Sequence, residues 1–106
     1  MTAENRPAAV CYDVGLASEP SLDAALDAYM CGRHIPDIVA TGCFYRIEYQ
    51  RLEPGRSRTC YYASSQQSLD RYLEAHTALM REDFVAHFPQ GVTATRTVWQ
   101  VLQSWD

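Results

Sequence analysis

The chain predicts an α+β fold, a four-stranded antiparallel sheet with two helices on one face, and three observations carry that prediction. Apolar residues alternate at the period of a strand in four stretches and recur at three-to-four spacing in two longer ones. Those stretches follow one another in the order βαββαβ. Between them stand Gly, Pro and Ser at points where turns and helix ends need them.

The elements follow in chain order. Ala9 to Leu16 alternates with β-forming residues and reads as a strand. Ser21 is placed to cap a helix whose apolar face is Leu22, Leu26, Tyr29 and Met30, with Asp23 and Asp27 on its other faces. Pro36 suits the first turn of a helix and disfavours helical backbone at Ile35, so this helix is expected to stop near Gly32 and a short new turn to begin at Pro36. Gly42 supplies the left-handed residue that ends the turn. Cys43 to Leu52 is the second strand, Glu53 to Arg56 a turn, and Arg58 to Ala63 the returning strand of a hairpin. Ser64 or Ser65 then starts the longest helix, with Gln67 or Ser68 available to complete the cap. Its stripe of Leu69, Tyr72, Leu73, His76, Leu79, Met80 and Phe84 predicts one continuous helix ending near His87. Phe88, Pro89, Gln90 and Gly91 break it, and Val92 to Leu102 is the last strand.

Right-handed crossovers place both helices on the same side of the sheet, which makes the order a ferredoxin-like plait. The other face would be open in a monomer. Yet the last strand is half apolar on both sides, Val92, Ala94 and Val98 standing with Arg96 on one and Trp99 and Val101 with Thr93, Thr95 and Thr97 on the other. Two half-apolar faces imply a cover for the second one, and a second copy of the chain is the simplest.

At 106 residues the chain suits one domain, expected over residues 9–106 behind a flexible polar tail over residues 1–8. It contains no apolar run of membrane-spanning length and no secretory signal, so the cytoplasm is the expected location and no membrane partner is expected. All nine basic residues are arginine; with no lysine, Schiff-base chemistry is excluded. A net charge of −4 argues against a surface that tracks phosphates, so no nucleic-acid partner is expected. Cys11, Cys31, Cys43 and Cys60 lack zinc-ligand spacing and read as small buried hydrophobes on three strands and a helix; no metal and no cofactor is expected.

Several short patterns recur together: Met30 followed by His34, Ile35 and Pro36; Thr41, Gly42 and Phe44; Tyr62; Tyr72, Leu73, Glu74 and His76; Leu79, Arg81 and Phe88; and Arg96 with Thr97. In these the chain resembles a family of small bacterial single-domain proteins of unknown function that take the dimeric α/β barrel form of the ferredoxin-like fold. The resemblance runs from Val10 to Leu102. Where that family tends to carry tryptophan before the methionine, this chain has Tyr29. What the resemblance implies is the fold and dimerisation, and no reaction.

Candidate site residues are few, and each has two readings. His34, near a helix end, is either a base or ligand contact in a cleft between helices and sheet, or a cation favoured by the helix dipole. His76, on the apolar stripe, is either a pocket residue or a core histidine bonded to a hydroxyl or carbonyl. Arg96 either binds a carboxylate or pairs with Glu48 across the sheet. Tyr45, Tyr49, Tyr61 and Tyr62 either stack on a flat ligand or fill a sheet face. Arg81, Glu82 and Asp83, and the Asp83 to His87 pair, read as solvated helix surface. The ligand-binding set expected from sequence is therefore His34 and His76, with Met30, Tyr72 and Met80 as walls and Arg96 beside them.

Two function classes stay open. One is a homodimer that binds a small aromatic or carboxylated molecule, similar to plait dimers that oxidise or rearrange aromatic compounds under their helices without a bound cofactor. The other is a non-catalytic dimeric module with a structural or regulatory role. An RNA-binding plait needs exposed aromatics in a basic, glycine-containing third strand; residues 58–63 lack the glycines and the chain is acidic. Neither a reaction nor a catalytic residue is assigned.

Overall fold

The structure, a computed structural model, describes residues 9–105. The flexible tail expected over residues 1–8 lies outside the described residues. The elements are β1 (Ala9–Ser18), α1 (Asp23–Tyr29), α2 (Ile35–Val39), β2 (Arg46–Glu53), β3 (Arg56–Ala63), α3 (Gln66–Ala75), α4 (Thr77–His87) and β4 (Val92–Val101). A 3-10 turn at Pro20–Leu22 precedes α1, and a π turn at Met30–His34 joins α1 to α2. The strands form one antiparallel sheet in the order β2-β3-β1-β4, the arrangement of a ferredoxin-like α+β fold. Among the described residues, no helix is long and apolar enough to cross a membrane.

Alternation in β1 sends Val10, Tyr12 and Leu16 to the helix side, where they join Leu26, Ile38 and Leu69 in two packed clusters. Leu26, Ile38 and Leu69 are the anchors of the helix layer, each with 1% exposure or less. Cys11, Asp13 and Gly15 take the other side, opposite Tyr62, Cys60 and Arg58 of β3 and Trp99, Thr97 and Thr95 of β4. This uncovered face has an apolar half around Cys11, Tyr62 and Trp99. In its polar half Asp13 meets Arg58 at 3.6 Å. Burial and the neighbouring Cys60 push the Cys11 thiol up to about 11, so it is protonated at neutral pH.

The capping and turn residues behave as the chain predicts at two points. The Ser65 hydroxyl accepts from the Ser68 backbone at 3.1 Å, capping α3. Gly42 has φ +72 and turns the chain after α2. The β2–β3 turn depends on Gly55 in the same way: at φ +82 its backbone packs so closely that a Cβ would lie 2.5 Å from the Ser18 carbonyl. Its amide donates to Asp23 at 3.0 Å, tying the hairpin to α1.

Other expectations are corrected. Ser21 caps nothing, because Pro20 opens a 3-10 turn and α1 begins only at Asp23. Pro36 does not stop the first helix; Ile35 keeps helical angles, φ −65 and ψ −45, and the chain stays helical to Val39. A proline ring obstructs the carbonyl four residues earlier and offers no N–H to it, and the widened π turn just ahead relieves that conflict without breaking the helix. The long helix, in contrast, is two. His76, at φ −125 and ψ −31, ends α3 and begins α4.

The second strand starts at Arg46, three residues later than expected. Cys43 is buried in the loop before it, and Phe44 turns inward against the rings of Tyr61 and Tyr72, at 5.3 and 5.0 Å. Of the four cysteines, Cys11, Cys43 and Cys60 are buried and Cys31 is exposed on the π turn; all are free thiols. Arg96 cannot pair with Glu48. β4 and β2 are opposite edges of the sheet, and Glu48 is on the uncovered side, where it takes Arg46 at 2.9 Å.

Candidate functional site

Between the helix layer and the sheet lies a cavity of about 50 Å³. Met30, His34, Tyr72, Met80 and Arg96 all line it, with Tyr12 and Tyr61 as floor and Arg81 and Phe84 of α4 as wall. His76 does not. Its ring stacks on the Tyr72 ring at 6.2 Å, outside the lining, so the two histidines do not converge.

The π turn is what aims His34. By adding a residue to one turn it brings Tyr29 and His34, five residues apart, onto the face that Met30 already shares with His34, where an unbroken α-helix would separate that pair. Tyr29 then sits at the centre of a polar knot. Its hydroxyl donates to Asp83 Oδ2 at 2.7 Å, and Arg33 grips both oxygens of that carboxylate at 3.0 and 2.8 Å. His34 Nδ1 is 3.4 Å from the same hydroxyl. Phe84 and Phe88 meet the Tyr29 ring edge-on at 5.7 and 5.5 Å, and the His87 ring lies 4.5 Å away.

Electrostatics follow from this packing. Burial lowers the pKa of His34 from its ordinary 6.5, while Asp83 and Asp37 pull the other way and lose, so the ring is neutral at pH 7. The Arg33 hydrogen bonds, then that from Tyr29, hold Asp83 below the usual carboxylate range. Burial raises Tyr29 and Tyr61 well above 10 and pushes Tyr72 up to about 12, so their hydroxyls stay protonated.

Two cations complete the lining. Arg81 reaches the Tyr12 hydroxyl at 3.4 Å. Among the described residues neither Arg81 nor Arg96 forms an ion pair. The arrangement is thus an apolar, tyrosine-lined space with one neutral imidazole and two solvent-exposed guanidiniums that meet no carboxylate among the described residues. Among the described residues, no cluster of three His, Cys, Asp or Glu side chains is gathered for a metal ion.

Tyr29, Arg33, Arg81 and Asp83 were missed as site residues. The last two read as solvated surface because an i, i+4 partner at His87 satisfies the pattern locally, whereas Asp83 takes its main partners 50 and 54 residues away. Pro36 inside a helical pattern was the available signal for an irregular turn.

With the fold and site in hand, the chain can be set beside known proteins. The sequence profile of the family described as a domain of unknown function, DUF4286, matches residues 9–102. The chain belongs to this family. No curated protein matches it. Among solved structures, this DUF4286 chain is similar to NE2512, a protein of unknown function from Nitrosomonas europaea, at 12% identity and TM-score 0.66, with 91% of each chain covered. Protein SO0527 from Shewanella oneidensis is similar at 16% identity and TM-score 0.65, over 92% of this chain and 97% of that one. A dimeric ferredoxin-like protein from an uncultured marine organism matches over the same shares, at 10% identity and TM-score 0.65. At these identities the likeness establishes the fold.

Proposed function

We propose that this DUF4286 protein is a homodimer that binds a small carboxylated aromatic molecule between its helix layer and its sheet. The observation that carries the reading is the pair Arg81 and Arg96, both lining an otherwise apolar, tyrosine-rich cavity and neither paired with an acid among the described residues. Both residues are solvent-exposed where they line the cavity, so their charge is open to an incoming anion, and arginine suits the planar carboxylate. Tyr12, Tyr61 and Tyr72 offer ring faces to the rest of the ligand.

The space of about 50 Å³ holds a few waters and is tight for a ring, so a wall must move. α4 is that wall, since it has no fully buried residue and is hinged at His76. Dimerisation through the uncovered sheet faces, with C2 symmetry, is supported by the apolar half around Trp99, which is 58% exposed.

Calorimetric titration with benzoate and 1-naphthoate tests the ligand class. Binding that weakens at least tenfold in Arg81→Gln, Arg96→Gln protein, with the fold retained, is the expected outcome. Absence of binding by either acid, with sedimentation still reporting a dimer, would transfer preference to a non-catalytic dimeric module, the reading that the exposed Tyr45 and Trp99 favour.

A further inference from the structure

The hydrogen bonds around Tyr29 decide which nitrogen of His34 carries the proton. Tyr29 has one hydroxyl proton, and the Asp83 carboxylate, charged and 2.7 Å away, takes it. Arg33 holds that carboxylate through both oxygens, so the acceptor is fixed in place. Toward His34 Nδ1, at 3.4 Å, the hydroxyl oxygen can then only accept. The contact is long, yet it still selects the tautomer. With the proton on Nε2 instead, a nitrogen lone pair would face an oxygen lone pair, which is repulsive. A neutral imidazole has a single N–H, and Tyr29 receives it. Nε2 is left as a bare lone pair, with no hydrogen bond to any described residue, on a side chain that lines the cavity.

From this we infer that His34 is a fixed acceptor that selects ligands carrying an O–H donor, so that the favoured class is phenolic carboxylates: the carboxylate at Arg81 and Arg96, the hydroxyl donating to Nε2. The inference rests on the cavity being the binding site. A phenol keeps its proton against so weak a base, so the role is recognition and not proton transfer. Tyr29 and Asp83 are positioning residues that act through His34. The lowered basicity of His34 keeps the acceptor form in place at neutral pH. The charged and titratable groups that act on the ring are Tyr29 on its own helical run, Asp37 on α2 and Asp83 on α4, with Arg33 bound to Asp83 and His87 against the Tyr29 ring behind them. The two arginines share the cavity lining.

Titration of the full-length protein with benzoate, 3- and 4-hydroxybenzoate and 4-methoxybenzoate is the test. At pH 7.5 one hydroxy acid should bind about tenfold more tightly than benzoate, and the methoxy acid no better than benzoate. In His34→Phe and His34→Leu the hydroxy acid and benzoate should bind with affinities in a ratio near one, and the ratio should also fall in the parent as pH drops through the folded pKa of His34, below 6.5, where a protonated Nε2 becomes a donor. Nitrogen-15 NMR of the ligand-free protein supplies a readout that a merely structural role would not move. It should show the Nδ1–H tautomer in the parent and a mixture in Tyr29→Phe. Benzoate binding without a hydroxyl preference, or an Nε2–H tautomer, overturns the inference and leaves the cavity reading standing. Failure of every acid to bind overturns both.

Discussion

α3 and α4 share one apolar stripe in the sequence and differ in what that stripe buries. α3 drives Leu69 and Tyr72 into the core, at 0% and 4% exposure, and is capped by Ser65. α4 has no fully buried residue, and its Leu79 and Val85 are 68% and 58% exposed. Its attachment is instead the Asp83 clasp to Tyr29 and Arg33, together with the partly buried Met80 and Phe84. The difference teaches that periodicity reports a helix's amphipathic face but not how much of that face finds a partner. A helix held by a few polar and aromatic contacts opens more readily than one held by buried leucine, so α4 is the less firmly held wall of the cavity.

The comparison yields a graded set of expectations. The largest is Leu69→Ala, which leaves a cavity under α3 and should cost about 2 to 5 kcal/mol in urea unfolding. Leu73, only partly buried, should cost less. Next is the clasp. In Asp83→Asn protein the α4 amides should exchange hydrogen faster while those of α3 keep the parental rate; equal acceleration of both would mean that the helices open as one unit.

Acid should release the clasp too. The folded pKa of Asp83 is below its ordinary 3.8, so its contribution is fully present above that value and is lost as pH falls through the lower folded value. Exchange of α4 amides followed downward from pH 6 reads this, and parent and Asp83→Asn should converge only once pH has fallen through the folded value, below 3.8.

A smaller effect is expected from His34. Its folded pKa is also depressed, below 6.5, so the neutral form favours folding and stability declines as pH drops from 6.5 through the folded value. Urea midpoints at pH 7.5 and 5 should differ less in His34→Phe than in the parent. Smallest is Leu79→Ala, expected within about 0.5 kcal/mol of the parent. A loss comparable to Leu69→Ala would erase the contrast between the helices.

Most of the fold was legible because strand alternation, the Ser65 cap and the Gly42 turn are local properties of consecutive residues. The candidate site was legible in part. Met30, Tyr72 and Met80 lie on helix faces that must turn inward, and Arg96 is the one charge on its strand's helix-facing side, so spacing alone pointed all four at the same space. His34 was left with two readings at an expected helix break, and it lines the cavity by way of a π turn that spacing does not reveal. His76 carries the same stripe position as its neighbours, and nothing in spacing distinguishes a residue at a bend from one in a straight run.

By itself the sequence determined the βαββαβ order, the inward faces of the strands and of α3, and the chemical character of both sheet faces, because those follow from residue-by-residue preferences for water, turns and helical angles. Only the tertiary structure decided that Arg96 and Glu48 stand on opposite edges and faces, that Asp83 reaches Tyr29 and Arg33, and that His34 enters the cavity while His76 stays behind Tyr72. Those facts depend on strand order, a bend of one residue and a turn of one extra residue. Each brings together groups far apart in the chain, and no local preference encodes a distance across the core.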